Sequence, residues 1–255
     1  MYTPELLTPY VERYKNAPLQ GMRVTAVLVD RVIAMQPITL DGLLAWTVVH
    51  EAEGTARDKI PFAKRTDFAF IPVPLKLLWK DETGGPLWCA SFFEPDVVLG
   101  TDVEYFHKRA PDGHRTKSKN PEAFGVRGIT GRWADRRTPF PVVLTRQMEA
   151  LAIGDIEEVR RLLLPVTHVG KKTAEGFGAV KEWRVEPEDI SVVDCLVRDG
   201  KLLRNVPVGA GLIKTDEPPE VLGWAPPYWN PAFYGEGWRF GATGTPSMGG
   251  ECSSS

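Results

Sequence analysis

The chain has 255 residues, of which 43% are hydrophobic, enough for a real core in one large domain or two small ones. Three cysteines (89, 195, 252), odd in number and without paired spacing, and four scattered histidines (50, 107, 114, 168) exclude a disulfide framework and a zinc site, and no metal or cofactor is expected. The net charge of −2 hides an uneven distribution. His107–Arg137 carries nine Lys/Arg against three acids, a net +6, so the remainder carries −8. Such a basic island on an acidic body points to one polyanion-facing surface, the duller reading being a solvated loop.

Residues 1–21 are polar and proline-punctuated, an extension packed on the surface. From Met22 the run Met-Arg-Val-Thr-Ala-Val-Leu-Val places Met22, Val24, Ala26 and Leu28 on one face of a central strand. After Pro37, Thr39 or Asp41 caps a helix that buries Leu43, Leu44, Thr47 and Val48 and ends near Gly54. Phe68–Trp79 and Leu87–Phe93 read as two strands around the turn Asp81-Glu-Thr-Gly-Gly-Pro86, and Pro72 and Pro74 make the first an edge or irregular strand. Asp102–His107 enters the basic segment and Phe124–Trp133 returns from it, which makes 102–137 an extended basic insertion with a turn-rich interior. A second helix begins at Asp155, with Glu158 placed like the partner of a capping box. Ile156, Val159, Leu162 and Leu163 form its apolar face, and Pro165 ends it.

Next comes Gly170-Lys-Lys-Thr-Ala-Glu-Gly-Phe-Gly-Ala-Val180, leading into a strand over Val180–Val185. Glycines 170, 176 and 178 free the backbone for positive φ and for close approach of a ligand, and two adjacent lysines add charge. It is neither of two familiar nucleotide loops. A phosphate-binding P-loop needs a glycine where this chain has Pro165, and the dinucleotide fingerprint needs one where it has Lys181. A polyanion against a bare backbone is the natural guest.

Beyond Pro187, Ile190–Val197 reads as a strand with a turn at Asp199-Gly200. Residues 188–245 form a Pro- and aromatic-rich region that packs on the core or docks a neighbouring subunit, and 246–255 a flexible tail. The fold class is α+β. Residues 22–187 follow the β-α-β-β-α-β order of a ferredoxin-like unit, with the glycine-rich loop between last helix and last strand. That unit also underlies RNA-recognition domains, although their aromatic strand signatures are missing. No membrane-spanning run and no signal peptide are present, so a soluble, cytoplasmic protein without membrane contact is expected.

Several of these features together resemble the RAMP superfamily of CRISPR effector complexes. They are the early strand followed by Ile38-Thr-Leu-Asp41-Gly-Leu-Leu-Ala45, the long basic insertion, and His168-Val-Gly-Lys-Lys-Thr-Ala-Glu-Gly-Phe-Gly-Ala-Val180. The chain looks most like the single-copy backbone subunit of type IV effectors, which caps the repeat-derived five-prime handle of the guide RNA. The resemblance covers roughly 22–187, with Pro-Pro-Tyr-Trp at 226–229 also similar. It implies a non-catalytic RNA-binding subunit whose partners are guide RNA, the neighbouring backbone and large subunits and, through the complex, target DNA. Gly170, Lys171, Lys172, Gly176, Phe177 and Gly178 would then lie against the RNA, with backbone amides bare to phosphates. Lys108, Arg109, Arg115, Lys117, Lys119, Arg127 and Arg132 would wrap the handle, and Phe106, His107, Phe124 and Trp133 would serve as stacking platforms.

The enzymatic alternative is a metal-independent endoribonuclease processing precursor RNA, with His50 and His107 (the latter beside Tyr105 and Lys108) as acid–base candidates and His168 a third. Each has a quieter explanation, His50 as a charge near a helix C-terminus and His168 as an ordering group at the loop's entry. A metal-dependent nuclease is disfavoured because Asp41, Asp135 and Asp155 form no recognisable cluster, and a scaffold that binds only protein fits the separated charge poorly.

Overall fold

The computed structural model describes residues 4–54, 70–108, 136–228 and 230–247. In chain order the strands are β1 Gln20–Leu28, β2 Ile38–Thr39, β3 Leu77–Lys80, β4 Pro86–Trp88, β5 Phe92–Pro95, β6 Gly100–Lys108, β7 Arg136–Leu144, β8 Gln147–Gly154, β9 Val180–Pro187, β10 Val197–Arg198, β11 Lys201–Leu202, β12 Val206–Pro207, β13 Ile213–Lys214, β14 Glu220–Gly223, β15 Tyr234–Trp238 and β16 Thr245–Pro246. The helices are α1 Thr8–Lys15, α2 Leu40–Glu53, α3 Ile156–Leu163 and α4 Val192–Leu196. The molecule is α+β, with antiparallel pairing throughout its sheets.

The main sheet has the order β2-β5-β8-β1-β9. Within it β1 lies between β8 and β9, and its Met22, Val24, Ala26 and Leu28 are buried together as their alternation predicts. Opposite β1 lies β8, which the sequence did not announce, in register from Gln20↔Gly154 to Val27↔Gln147. Helices α2 and α3 pack on the face that carries Met148, Ala150 and Ala152 of β8. On the other face Leu151 meets Cys89 and Cys195. Ile156, Val159, Leu162 and Leu163 of α3 are all buried as expected, each contributing roughly 1.5–3 kcal/mol by removal from water.

The helix ends follow their signals only in part. Asp155 caps α3 by accepting from Glu157 N at 3.0 Å and Glu158 N at 3.1 Å. Glu158 does not complete a box, because the Asp155 amide already donates to Pro74 O and the Glu158 carboxylate takes Arg161 at 3.0 Å. Thr39 stands at the N-cap of α2 without a side-chain cap bond, and Gly54 ends the helix at φ +56°. Asp41 lies inside the helix rather than at its N-cap, although its Oδ1 accepts from Gly42 N at 2.9 Å. It is 1% exposed and pairs with Arg204 at 3.2 Å. Leu43 is only half-buried, while Leu44, Thr47 and Val48 are buried as expected.

Three other expectations change, and a fourth falls outside the described residues. The N-terminal segment is not a surface extension: it forms α1, and Leu7 and Tyr10 enter the main core. Pro72 and Pro74 hold 70–76 out of regular pairing, so among the described residues the strand expected over Phe68–Trp79 begins at Leu77. Strand β7 pairs with β6 on the far side of the basic segment, while Phe124–Trp133, expected to return from it, lies outside the described residues. Ile190–Val197 begins as helix α4, not a strand, because Ser191 and Asp194 form a reciprocal capping box.

The C-terminal region builds a second core around Leu202, Val206, Trp224 and Phe233, to which Leu87 contributes. Arg204, fully buried, ties it to the main sheet. Its guanidinium donates to Trp88 O, to Ala90 O at 2.9 Å and to Trp224 O at 3.0 Å, besides Asp41. Burial would depress its pKa, but the Asp41 carboxylate beside it outweighs that and raises it. Burial, and then the Asp41 carboxylate, pushes the Tyr228 phenol well above its ordinary value. It therefore stays neutral and donates to Asp41 at 2.8 Å.

Candidate nucleic-acid interface at one end of the sheet

Antiparallel pairing decides what meets at each end of the sheet. The C-terminal end of β1 lies beside the N-terminal ends of β9 (Leu28↔Val180) and β8 (Val27↔Gln147). The C-terminal end of β5 joins them through Pro95↔Met148. The glycine loop before β9, the β6–β7 hairpin between β5 and β8, and the strap 29–37 after β1 therefore emerge together.

The strap is stitched to both neighbours. Gly178 N donates to Arg31 O at 3.0 Å, Lys171 N to Ile33 O at 2.9 Å, and Val29 N to Ala179 O at 2.9 Å. On its other side Val32 and Val143 of β7 exchange two bonds of 2.9 Å each. Ile33, Val142 and Phe177 are buried between the three segments, with Phe106 and Phe140 packed against them. Phe106 meets Phe140 edge-on at 5.2 Å and Phe177 at 5.8 Å, separations typical of favourable aromatic pairs.

This packing revises the glycine loop. Gly170, Gly176 and Gly178 do take positive φ (81°, 89° and 66°). At Gly170, however, an added Cβ would stand 2.5 Å from Ile33 O, and at Gly178 it would strike Val169 O. These two glycines admit the chain's own backbone rather than a guest. The loop's amides are engaged likewise: those of Lys171, Glu175, Gly176, Phe177 and Gly178 all donate within the protein. Phe177, expected against RNA, is 7% exposed and is an anchor instead. The loop offers a charged, shaped surface in place of a bare backbone.

Its two lysines differ. Lys171 is exposed and has no side-chain partner among the described residues. Lys172, in left-handed conformation (φ 62°), holds Glu175 at 3.1 Å and sits 4.1 Å from the Phe106 ring centroid. Arg31, which the sequence reading overlooked, lies 4.9 Å over Phe177 and 3.4 Å from Glu104. Cation–π contacts of this kind at partly exposed positions contribute about 0.5–1 kcal/mol each.

The hairpin presents two faces. Phe106 and Phe140 turn inward. Val103, Tyr105 and His107 turn outward and are exposed, with Pro141, Pro139 and Arg137 opposite them. Arg137 stacks 3.8 Å above the Tyr105 ring. Lys108 closes the described part of β6 opposite Arg136. Arg109, Arg115, Lys117, Lys119, Arg127, Arg132, Phe124 and Trp133 lie outside the described residues. Nothing in the sequence pattern around Arg31 marked it. The apolar Val32-Ile33 in the same loop was the available signal, since buried residues in a connection imply that the connection is covered.

The histidines do not gather. His50 lies on α2, where its Nδ1–H donates to Trp46 O at 2.8 Å and its ring stacks on Trp46 at 4.0 Å. His107 lies on the outer hairpin face and His168 at the loop's entry, 3.0 Å from Thr167 Oγ1. Among the described residues no group of His, Cys, Asp and Glu is arranged to hold a metal ion, and no helix is long and apolar enough to cross a membrane. The family model described as CRISPR type IV associated protein Csf3 matches residues 22–237. No curated protein matches the chain.

Proposed function

We propose a role that starts from membership: the chain belongs to the family of CRISPR type IV associated protein Csf3, and so is a type IV CRISPR-associated subunit. Its role is that of a RAMP-superfamily protein with a ferredoxin-like core that binds guide RNA without cutting it. It holds the repeat-derived five-prime handle and joins the backbone and large subunits for target DNA recognition. The path β1-α2-β5-β8-α3-β9, with β5-β8-β1-β9 adjacent in that order, supports the fold reading.

The observation that carries the binding role is the strap. By hydrogen-bonding to the glycine loop on one side and to β7 on the other, it holds Lys171, Arg31 and the β6–β7 hairpin that leads into the +6 segment together at one end of the sheet. A long polyanion can be held along it by sequence-independent charge. Replacing Lys171 and Lys172 together by Ala weakens guide RNA retention. It also lowers the log–log salt slope by about 0.7 per lost phosphate contact on a single strand. An unchanged affinity and slope in a folded double variant overturns the loop's role.

Binding without cleavage is part of the proposal. Repeat RNA incubated with the protein and a chelator stays intact while bound. A discrete product, lost on replacing His50 or His107, would replace this reading with the endoribonuclease one.

A further inference from the structure

The strap leads away from the glycine loop into a groove that the binding role does not use. Gln36 and Pro37 lie on the rim of a pocket of about 570 Å³ between α2 and the β14–β15 pair. They also border an adjoining pocket of about 350 Å³ against β5 and Met148. Gln36 is three residues from Ile33, whose carbonyl receives the Lys171 amide, and three residues of chain span at most about 10 Å. The groove therefore begins within about 10 Å of the segment that holds the loop.

The larger pocket is built for flat, uncharged guests. Among the described residues no charged side chain lines it. At its mouth Trp46 and Tyr234 are 42% and 44% exposed, high for large aromatics, with no element among the described residues covering them. Trp46 is steadied by its stack on His50 at 4.0 Å, so little side-chain freedom is left to lose on binding. The floor includes Tyr228, whose hydroxyl is fixed by Asp41 and Arg204, so the pocket is pre-formed. Two amides stand ready for polar edges: exposed Gln36, and Asn205, whose Nδ2 gives one of its two hydrogens to Gly223 O.

We infer that this groove receives unstacked bases of the same RNA strand whose backbone the glycine loop holds. The inference rests on the proposed guide RNA role and extends it from charge to base stacking. Its volume and aromatic rim fit nucleobases, and its neutrality means that the grip on phosphate must come from the loop next door.

The test uses the full chain and a fluorescently labelled single-stranded RNA oligonucleotide, together with an abasic strand of the same length and charge. Trp46→Ala is expected to weaken binding of the base-bearing strand at least about fivefold, the scale of losing one base–aromatic stack. The salt slope stays unchanged, and the preference for the base-bearing over the abasic strand is lost. Trp46→Phe, which keeps a ring, retains most of both. Three outcomes overturn the inference, and they are distinguishable. If Trp46→Ala binds like the parent while the Lys171/Lys172 variant is weakened, the groove is no base site and the loop role stands. If the parent itself binds neither strand, the guide RNA reading falls and the groove proposal with it. If Trp46→Ala binds RNA normally but no longer co-purifies with neighbouring subunits, the groove docks protein instead.

Discussion

Two cation–carboxylate–aromatic clusters in this molecule share their chemistry and differ in almost everything else. Lys172 and Glu175 sit against Phe106 with side chains 29% and 44% exposed. Arg204 and Asp41 sit near Phe92 with side chains 0% and 1% exposed. In water the first pair can trade partners, because an exposed ion pair contributes little and a phosphate competes with the carboxylate on equal terms. In the core the second cannot, because any vacated group would be left charged and dry. The buried cluster therefore fixes how the C-terminal region sits on the main sheet. The exposed one stays available to a ligand, and it is the one beside the strap.

The largest effect separating the two is on stability. Arg204→Ala leaves Asp41 buried without its cation and is expected to cost about 3–5 kcal/mol, read by chemical denaturation. A loss below about 1 kcal/mol would mean that the buried tie is not what joins the regions. The exposed cluster answers in affinity instead. Glu175→Gln frees Lys172, so RNA binds a few-fold more tightly, with fold stability changed by less than about 1 kcal/mol. Weaker RNA binding in that variant would show that Glu175 positions the lysine rather than competes for it.

The smallest effect lies at the opposite end of the main sheet, where Arg23 bonds Glu188 at 2.6 Å and holds its carboxyl below the usual range. A depressed folded pKa means stability that is present above the unfolded pKa and is lost as pH falls through the folded one. The melting temperature should therefore fall in acid, below about pH 4, and less steeply in Glu188→Gln. Both partners are about one-third exposed, so the difference is small.

Legibility followed how local each signal was. The burial of β1 could be read from its alternation and that of α3 from its apolar face, since each is written in consecutive residues. Strand β8 was hidden because Gln-Met-Glu-Ala-Leu-Ala-Ile-Gly is rich in helix formers. It is a strand only because two neighbouring strands and cover on both faces overrule propensity. Helix α4 reversed that error: its β-branched Val192 and Val193 read as strand, while Ser191 and Asp194, three apart, set a helix start. In the site, the glycines and Lys171 were visible, but the purpose of Gly170 and Gly178 was not. What their missing side chains make room for is the strap and Val169, an approach of distant or folded-back backbone that no spacing rule encodes. Arg204 stands in an unremarkable loop sequence, and only its burial gives it meaning.

Guide RNA is proposed to lie across the end of the sheet where the strap, the glycine loop and the hairpin meet. Ultraviolet crosslinking of the full chain to guide RNA in the assembled complex, followed by mass spectrometry, tests it directly. Adducts are expected on peptides carrying Arg31, Tyr105 and Lys171, with the groove peptide carrying Trp46 next. Adducts confined to the other end of the sheet, around Arg23 and Glu188, or a complex whose RNA never crosslinks to this chain, would contradict it.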